Sequence, residues 1–436
     1  MLKLRFENMG TQMCVDKTRS NYRYNFITII FSRFISSFGT SVLAFAFSLY
    51  ILDMTDSAVK FSMVVGLNML SGAVFKIIGG VLVDRFDKKI IMVNSNILSG
   101  IFILIFMFLF ALKPKSFLLV IVYNILIPIV QSCFIIVCQA SIPNIVTKNQ
   151  VVKVNSSFQI MESAKGIAGP VLGALAYKGL GMKSIFLICA VCLFTAGIVQ
   201  IFLKFNAVDS VKQEGDGNII KSMASAINYV KSERMIRNLL LFAVIVQFFF
   251  RPVFSVVVPF ISYKVIQVTG IQLSVIQAAG AGGILIGALV LLIANSENQL
   301  LKSFFGLLEA QAILIMSWAI IYFVFKLSAM DSKWMITIAF AGILLLIDAL
   351  NTIQNVPVFT YMQLAVPGNL RGRVFALAFG IMEITVPVGM WIYGLVLNNF
   401  YWVYLPISAG VLIIMICFFA RKKLSFKDYV ITEEKN

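Results

Sequence analysis

The sequence predicts an all-α integral membrane protein with twelve transmembrane helices in two pseudo-symmetric six-helix bundles. Three observations predict it. Of 436 residues, 60% are hydrophobic and 13% charged, whereas a soluble domain carries about 25% charged residues, so this chain cannot clothe its own surface against water. Twelve apolar runs begin near residues 25, 59, 90, 117, 155, 184, 239, 271, 304, 335, 374 and 400, and each approaches the roughly 20 residues a helix needs to cross a bilayer. One long polar stretch, Asn206 to Asn238, divides the runs six and six.

Taken in order, residues 1–24 form a polar tail with Lys3, Arg5, Lys17, Arg19 and Arg23. The apolar run that follows is too long for a signal-peptide core and reads as a retained first span. Residues 25–205 make the first bundle and 206–238 the linker, which carries Glu214-Gly215-Asp216-Gly217 and then an amphipathic piece from Ile219 to Val230. Residues 239–421 make the second bundle, and 422–436 a second polar tail. With the N-terminus in the cytoplasm, Arg85, Lys88, Lys89, Lys148, Lys153, Arg371 and Arg373 fall inside. The count is then about 24 basic residues inside against about 8 outside, the asymmetry that sets orientation. This predicts a multi-pass protein of the cell membrane with both termini cytoplasmic.

The net charge of +17 follows from that topology. The basic residues are scattered over short loops and offer no face to track phosphates, so nucleic acid is not expected as a partner. The absence of histidine removes imidazole bases and most zinc sites. The six cysteines show one close pair, Cys189 and Cys192, inside an apolar run, where they read as small hydrophobes. No G-x-x-x-x-G-K-(S/T) phosphate loop is present, so no ATP-driven pump, cofactor or metal is implied. No nucleophile, base and third group recur at workable spacing, and an enzyme is not expected.

The halves echo one another. Ile160-Met161-Glu162 in the fifth span matches Ile381-Met382-Glu383 in the eleventh. Each is followed by a kink, Gly169-Pro170 (with Gly173 beyond it) and Pro387-Val388-Gly389. Ile142-Pro143-Asn144-Ile145-Val146 leads into the fifth span as Val366-Pro367-Gly368-Asn369-Leu370 leads into the eleventh, and the first span of each half carries an arginine, Arg33 or Arg251. Three echoes at similar offsets point to a duplicated unit.

After the second span comes Gly79-Gly80-Val81-Leu82-Val83-Asp84-Arg85-Phe86-Asp87-Lys88-Lys89. It resembles the G-x-L-x-D-R-x-(G/D)-(R/K)-(R/K) loop between the second and third spans of the major facilitator superfamily. With twelve spans and a central linker, the resemblance covers the whole chain. It implies the major facilitator fold, a small-molecule substrate and a monomer in the lipid bilayer. It also implies a cytoplasmic latch. Gly80 permits close helix approach, and Asp84 faces the positive N-terminus of the eleventh span, which begins beside Arg371 and Arg373. Arg85, Asp87, Lys88 and Lys89 complete the loop, and the latch would hold in the outward-open state. The equivalent loop of the second half, around Asn295 to Gln299, has lost the pattern. Gly169-Pro170-Val171-Leu172-Gly173-Ala174 resembles the G-P-x-x-G-(G/A) element of antiporting drug exporters, although Lys165 stands where that element carries a glycine four residues upstream. The short Pro-led segments, Gly372-Arg373-Val374-Phe375 and Thr55-Asp56-Ser57-Ala58 are most similar to the macrolide-efflux and enterobactin-exporter branch.

Charge inside a span costs about 2.5–3.5 kcal/mol even on the lenient insertion scale, so each such residue needs a partner or a purpose. The residues concerned are Arg33, Lys76, Glu162, Lys165, Arg251, Glu309, Asp348 and Glu383. A proton-coupled carrier needs a carboxylate whose proton affinity changes between states, and Glu162, Glu383 and Asp348 are the candidates. Lys165 lies at i+3 from Glu162 and offers a static partner on the same helix. Arg33 and Arg251 offer countercharges or an anion site, with snorkelling the other reading for Arg33. Lys76 is expected to snorkel and Glu309 to be structural. Asn351, Gln354 and Asn355 share a helical face with Asp348 and are read as facing water or substrate. Phe249, Phe359 and Tyr361 are read as lining for an amphipathic cargo.

The expected function is proton-antiport efflux of a hydrophobic drug or natural product, macrolide-like, by alternating access. One charge moving through roughly 100 mV releases about 2.3 kcal/mol, enough for about a fifty-fold gradient at about 1.4 kcal/mol per decade. The alternatives are export of a siderophore or other polar or anionic metabolite, a proton symporter, and a receptor or assembly protein that does not transport.

Overall fold

A computed structural model describes residues 2–83, 87–146, 148–204, 219–293, 303–327, 333–399 and 401–421, with most of the side chains from Tyr22 onward. No strand occurs among them. The helices of the first half are α1 (Leu2–Thr55), α2 (Ala58–Val83), α3 (Lys88–Leu112), α4 (Phe117–Ile145), α5 (Lys148–Gly179) and α6 (Gly181–Ile201), and the linker contributes α7 (Ile219–Ser232). The second half comprises α8 (Arg234–Val265), α9 (Gly270–Ile293), α10 (Phe304–Leu327), α11 (Lys333–Ala365), α12 (Gly368–Asn399) and α13 (Tyr404–Arg421).

Helix ends follow local chemistry. The Asp87 carboxylate accepts from the backbone N–H groups of Lys89 (2.8 Å) and Ile90 (3.2 Å), capping α3. Thr269 and Gln272 form a reciprocal capping box at the start of α9, at 3.2 and 2.8 Å. The two-residue turn between α1 and α2 places Asp56 at φ 46°, and Gly181 takes φ 73° between α5 and α6. Within α8 the chain passes through two π-helical turns, Val253–Val257 and Ile261–Val265. Pro252 and Pro259 lack the N–H of a regular ladder there, and the wider turns absorb the mismatch.

Among the described residues, eleven helices are long and apolar enough to cross a membrane. The twelfth expected span, α5, has 32 residues and is long enough, but Glu162 and Lys165 lower its apolarity. Large apolar side chains such as Phe108, Leu118, Ile293 and Phe419 are exposed by 60–80% (63, 69, 80 and 62%), as lipid-facing side chains are.

In the first half α1 packs on α5 and α6, α2 on α4, and α3 on α4 and α6; in the second, α9 packs on α11, α10 on α11 and α13, and α12 on α8 and α7. The two bundles meet along α2 with α12 and along α5 with α9. The fifth helix of the first half, α5, and its counterpart α12 each close on their own half's first helix through glycine. A Cβ on Gly173 would lie 2.8 Å from the Val42 carbonyl oxygen and 2.9 Å from the Phe45 Cβ. A Cβ on Gly389 would lie 2.7 Å from the Phe248 carbonyl oxygen. Pro170 and Pro387 both sit inside continuous helices at these crossings.

Candidate functional site

The two faces of the bundle are defined here by the chain: one bears the start of α1, the linker and the end of α13, and the other bears the α1–α2 and α8–α9 turns. Between them, in the first half, α1 supplies Arg33 and α5 supplies Glu162 and Lys165. Arg33 is 6% exposed. Its Nη2 lies 3.6 Å from Glu162 Oε1, and its guanidinium sits 4.4 Å from the centre of the Phe158 ring, a cation–π geometry. Lys165 Nζ donates to the other oxygen, Glu162 Oε2. Glu162 is thus held between two cations, one from its own helix and one from α1, and Arg33 is enclosed rather than snorkelled.

The second half is built differently. Asp348 of α11 lies against Gly280 of α9, where a Cβ would stand 2.5 Å from Oδ2. Arg251 of α8 is exposed. Glu383 of α12 finds its partner in the other half: Lys76 Nζ of α2 donates to Glu383 Oε1 at 2.9 Å. Sequence reading sent Lys76 to the surface; packing of α2 on α12 turns it to Glu383 instead. An isolated lysine on one span and an isolated glutamate on another were the available signal. Glu309 pairs with Arg421 at 2.7 Å, joining α10 to α13.

A second cluster, which sequence reading did not single out, lies at the face bearing the α1–α2 turn. Lys264 donates to Asp56 across the two halves. Beside it, the Tyr177 hydroxyl donates to Asp53 Oδ2 at 2.7 Å. The π turn Ile261–Val265 presents Tyr263 and Lys264 here. The signal was acidic residues at the end of one half's first span and a lysine at the end of the other's.

Three cavities lie within the bundles, one of them beside these charges. The largest of them, about 400 Å³, lies in the first half between α1, α2 and α4, with Pro170 of α5 and Gln277 of α9 at its edge. Its polar lining is neutral, with Ser41, Ser48, Asn68, Asn124 and Gln131. A smaller one of about 100 Å³ borders Arg33, Glu162 and Lys165. The third, about 120 Å³, lies in the second half and is lined by Asn351, Gln354, Asn355 and Phe359. Those amides also bond among themselves: Asn355 donates to Asn351 (2.8 Å), Asn351 to Gln311 (3.4 Å) and Gln311 to Gln354 (2.6 Å). Phe359 stacks on Phe379 at 5.6 Å. Phe249 meets Phe248 edge-on at 5.1 Å, and Tyr361 is buried in the core.

Of the predicted latch, Gly80 lies in α2, while Asp84, Arg85 and the Arg371 side chain lie outside the described residues. Asp87 caps α3, and Lys88 and Lys89 lie in its first turn. Arg373 Nη1 lies 3.4 Å from Ser225 Oγ of the linker helix α7.

Twelve helices in two bundles, joined along α2–α12 and α5–α9 around polar cavities, define a membrane transporter. The chain belongs to the Major Facilitator Superfamily, whose family model matches residues 29–390. It is 25% identical over 382 residues to macrolide efflux protein A of Streptococcus pyogenes, covering 85% of this chain and 89% of that one. To macrolide efflux protein A of Enterococcus faecalis it is 24% identical over 343 residues, covering 76% and 99%. Among solved structures, the nucleoside transporter NupG superposes with a TM-score of 0.72 at 10% identity, covering 92% of this chain and 98% of that one, a likeness of fold.

Proposed function

We propose that the protein is a secondary active exporter of a hydrophobic, macrolide-like compound, driven by proton antiport through alternating access. The observation that carries the reading is the pairing of the mirrored acids: Glu162 bound by Arg33 and Lys165 within one half, and Glu383 bound by Lys76 across the two. Protonating Glu162 frees two cations beside the cavity. Protonating Glu383 releases a tie between α2 and α12, one of the two seams along which the bundles meet. Proton binding is thereby linked to the relative position of the halves, which is what coupling requires. Asp348, packed against Gly280 of α9, is a third candidate acid. Relatives named for macrolide efflux support the cargo class and the export direction.

The positive-inside asymmetry supports a cytoplasmic location for the face that bears both termini. Residues 25–205 and 239–421 then move as two bodies joined by 206–238 in a monomer of the cell membrane, and the Asp56–Lys264 cluster closes the outer face. The Asp84 loop and Arg371 supply the opposite closure when the cavity faces outward.

The test is pH-driven counterflow of a labelled macrolide in proteoliposomes. Glu162→Gln and Glu383→Gln are each expected to abolish proton-driven flux while leaving downhill exchange; undiminished pH-driven flux in both variants overturns the assignment. A second reading, export of an anionic metabolite, is favoured by Arg251, a cation exposed on a first span. Competition between charged and neutral compounds for binding separates the two.

A further inference from the structure

The small chamber beside Arg33 has properties that proton coupling does not require. Arg33 is 94% buried by its 6% exposure, and its Nη1 has no hydrogen-bond partner among the described residues. Beside the guanidinium lies the buried Cys138 thiol, a weak acceptor that does not neutralise charge. The chamber, about 100 Å³, is bordered by two cations, Arg33 and Lys165, and by one carboxylate, Glu162. The helices packed around it, α3, α4 and α6, bring the amides of Asn96 and Gln131 and apolar groups to its wall, α1 adds the hydroxyls of Ser36, Ser37 and Thr40, and no further charge lines it among the described residues. Two cations thus face one carboxylate: Glu162 and Lys165 keep access to water, at 40% and 29% exposed, whereas the Arg33 guanidinium is withdrawn from it, and there an incompletely compensated ion is expensive. Ser37 and Gln131 on the same wall add neutral donors.

We propose that this chamber is a binding site for one small monovalent anion, a halide or the carboxylate group of a larger molecule, held by Arg33 Nη1 and Lys165 Nζ with Ser37 and Gln131 beside them. The excess of one cation fits a single negative charge, and a volume of about 100 Å³ admits chloride or a short carboxylate and excludes a bulky anion such as gluconate. Glu162 shares both cations with the incoming anion, so the two compete. Removing the Glu162 charge strengthens anion binding; removing either cation weakens it.

The experiment is equilibrium binding of radiolabelled chloride, and separately of acetate, to the purified full-length protein in detergent, at fixed pH and ionic strength with gluconate as the replacing anion. Saturable binding of one anion per chain is expected, weakened at least tenfold in Arg33→Gln and tightened at least threefold in Glu162→Gln. If acetate displaces chloride at lower concentration than chloride displaces acetate, the site is one for a carboxylate; the reverse order makes it a halide site. Lys165→Gln, which keeps the buried guanidinium, is expected to lose affinity at least tenfold and carries the test if Arg33→Gln does not fold. Absence of saturable binding for both anions, or wild-type affinity in folded Arg33→Gln or Lys165→Gln, overturns the proposal. No gradient is applied, so a failure here is separate from a failure of proton coupling.

Discussion

Lys76 Nζ and Glu383 Oε1 lie 2.9 Å apart across the two halves. They close an antiparallel run of contacts between α2 and α12 in which Gly394 meets Ser62 and Gly66 meets Trp391. Both side chains are part-exposed, at 42% and 34%, so water screens the pair. Its coupling energy in a double-mutant cycle of unfolding is expected at about 0.2–1 kcal/mol. The larger effect is expected in transport: Lys76→Gln and Glu383→Gln each lower pH-driven flux, and the double variant is no worse than the more damaged single one. Strictly additive losses would mean that the two act separately.

The Asp56–Lys264 pair joins the halves on the face bearing the α1–α2 turn, beside the Asp53–Tyr177 bond within the first half. Removing the charge with Asp56→Asn or Lys264→Gln weakens that closure and populates the form open to that face. A cysteine placed at Ser48, on the wall of the 400 Å³ cavity, is then expected to react several-fold faster with an impermeant maleimide added from outside. Unchanged labelling in both variants would remove the gate role.

Gly280 and Gly282 make a matched pair on α9. A Cβ on Gly280 would stand 2.5 Å from Asp348 Oδ2 and 3.1 Å from Leu344 Cγ, whereas one on Gly282 meets nothing within 4 Å. Gly280→Ala is expected to cost about 1–3 kcal/mol by overpacking, read as a lower unfolding temperature in detergent. Gly282→Ala gains helix propensity, up to about 1 kcal/mol, and is expected to be neutral or stabilising.

Gln311 and Gln354 are 0% and 6% exposed and share a 2.6 Å hydrogen bond. Gln311→Leu takes the donor from the buried Gln354 amide, at a cost of about 1–3 kcal/mol, and Gln354→Leu is expected to cost less because Gln311 keeps Leu307 and Asn351 as partners. The double replacement is expected to cost less than the sum of the two, measured by the same unfolding assay.

The sequence by itself determined the solvent, the number of helices and the doubling of the unit, because each is written locally. An apolar run of sufficient length must span, one polar stretch divides twelve spans six and six, and Ile-Met-Glu followed by a proline recurs at 160–162 and 381–383. The Glu162–Lys165 pair was legible for the same reason, since i,i+3 spacing fixes neighbours on one helix. Even the weak point was local: α5 reads as less apolar because these two residues lie within it.

Only the tertiary structure decided which charge meets which across helices. Glu162 and Glu383 look equivalent in sequence, yet one is enclosed with Arg33 of its own half and the other reaches Lys76, 307 residues away in the opposite half. The amide row on α11 looked open from its own helix and is tied to Gln311 of α10. Arg33 could be read from sequence as snorkelling, and the packing of α1 against α5 and Phe158 encloses it. In each case the deciding partner lies on another helix. Helical periodicity fixes the face on which a side chain sits, and the register and close approach of glycine-lined helices determine what that face meets.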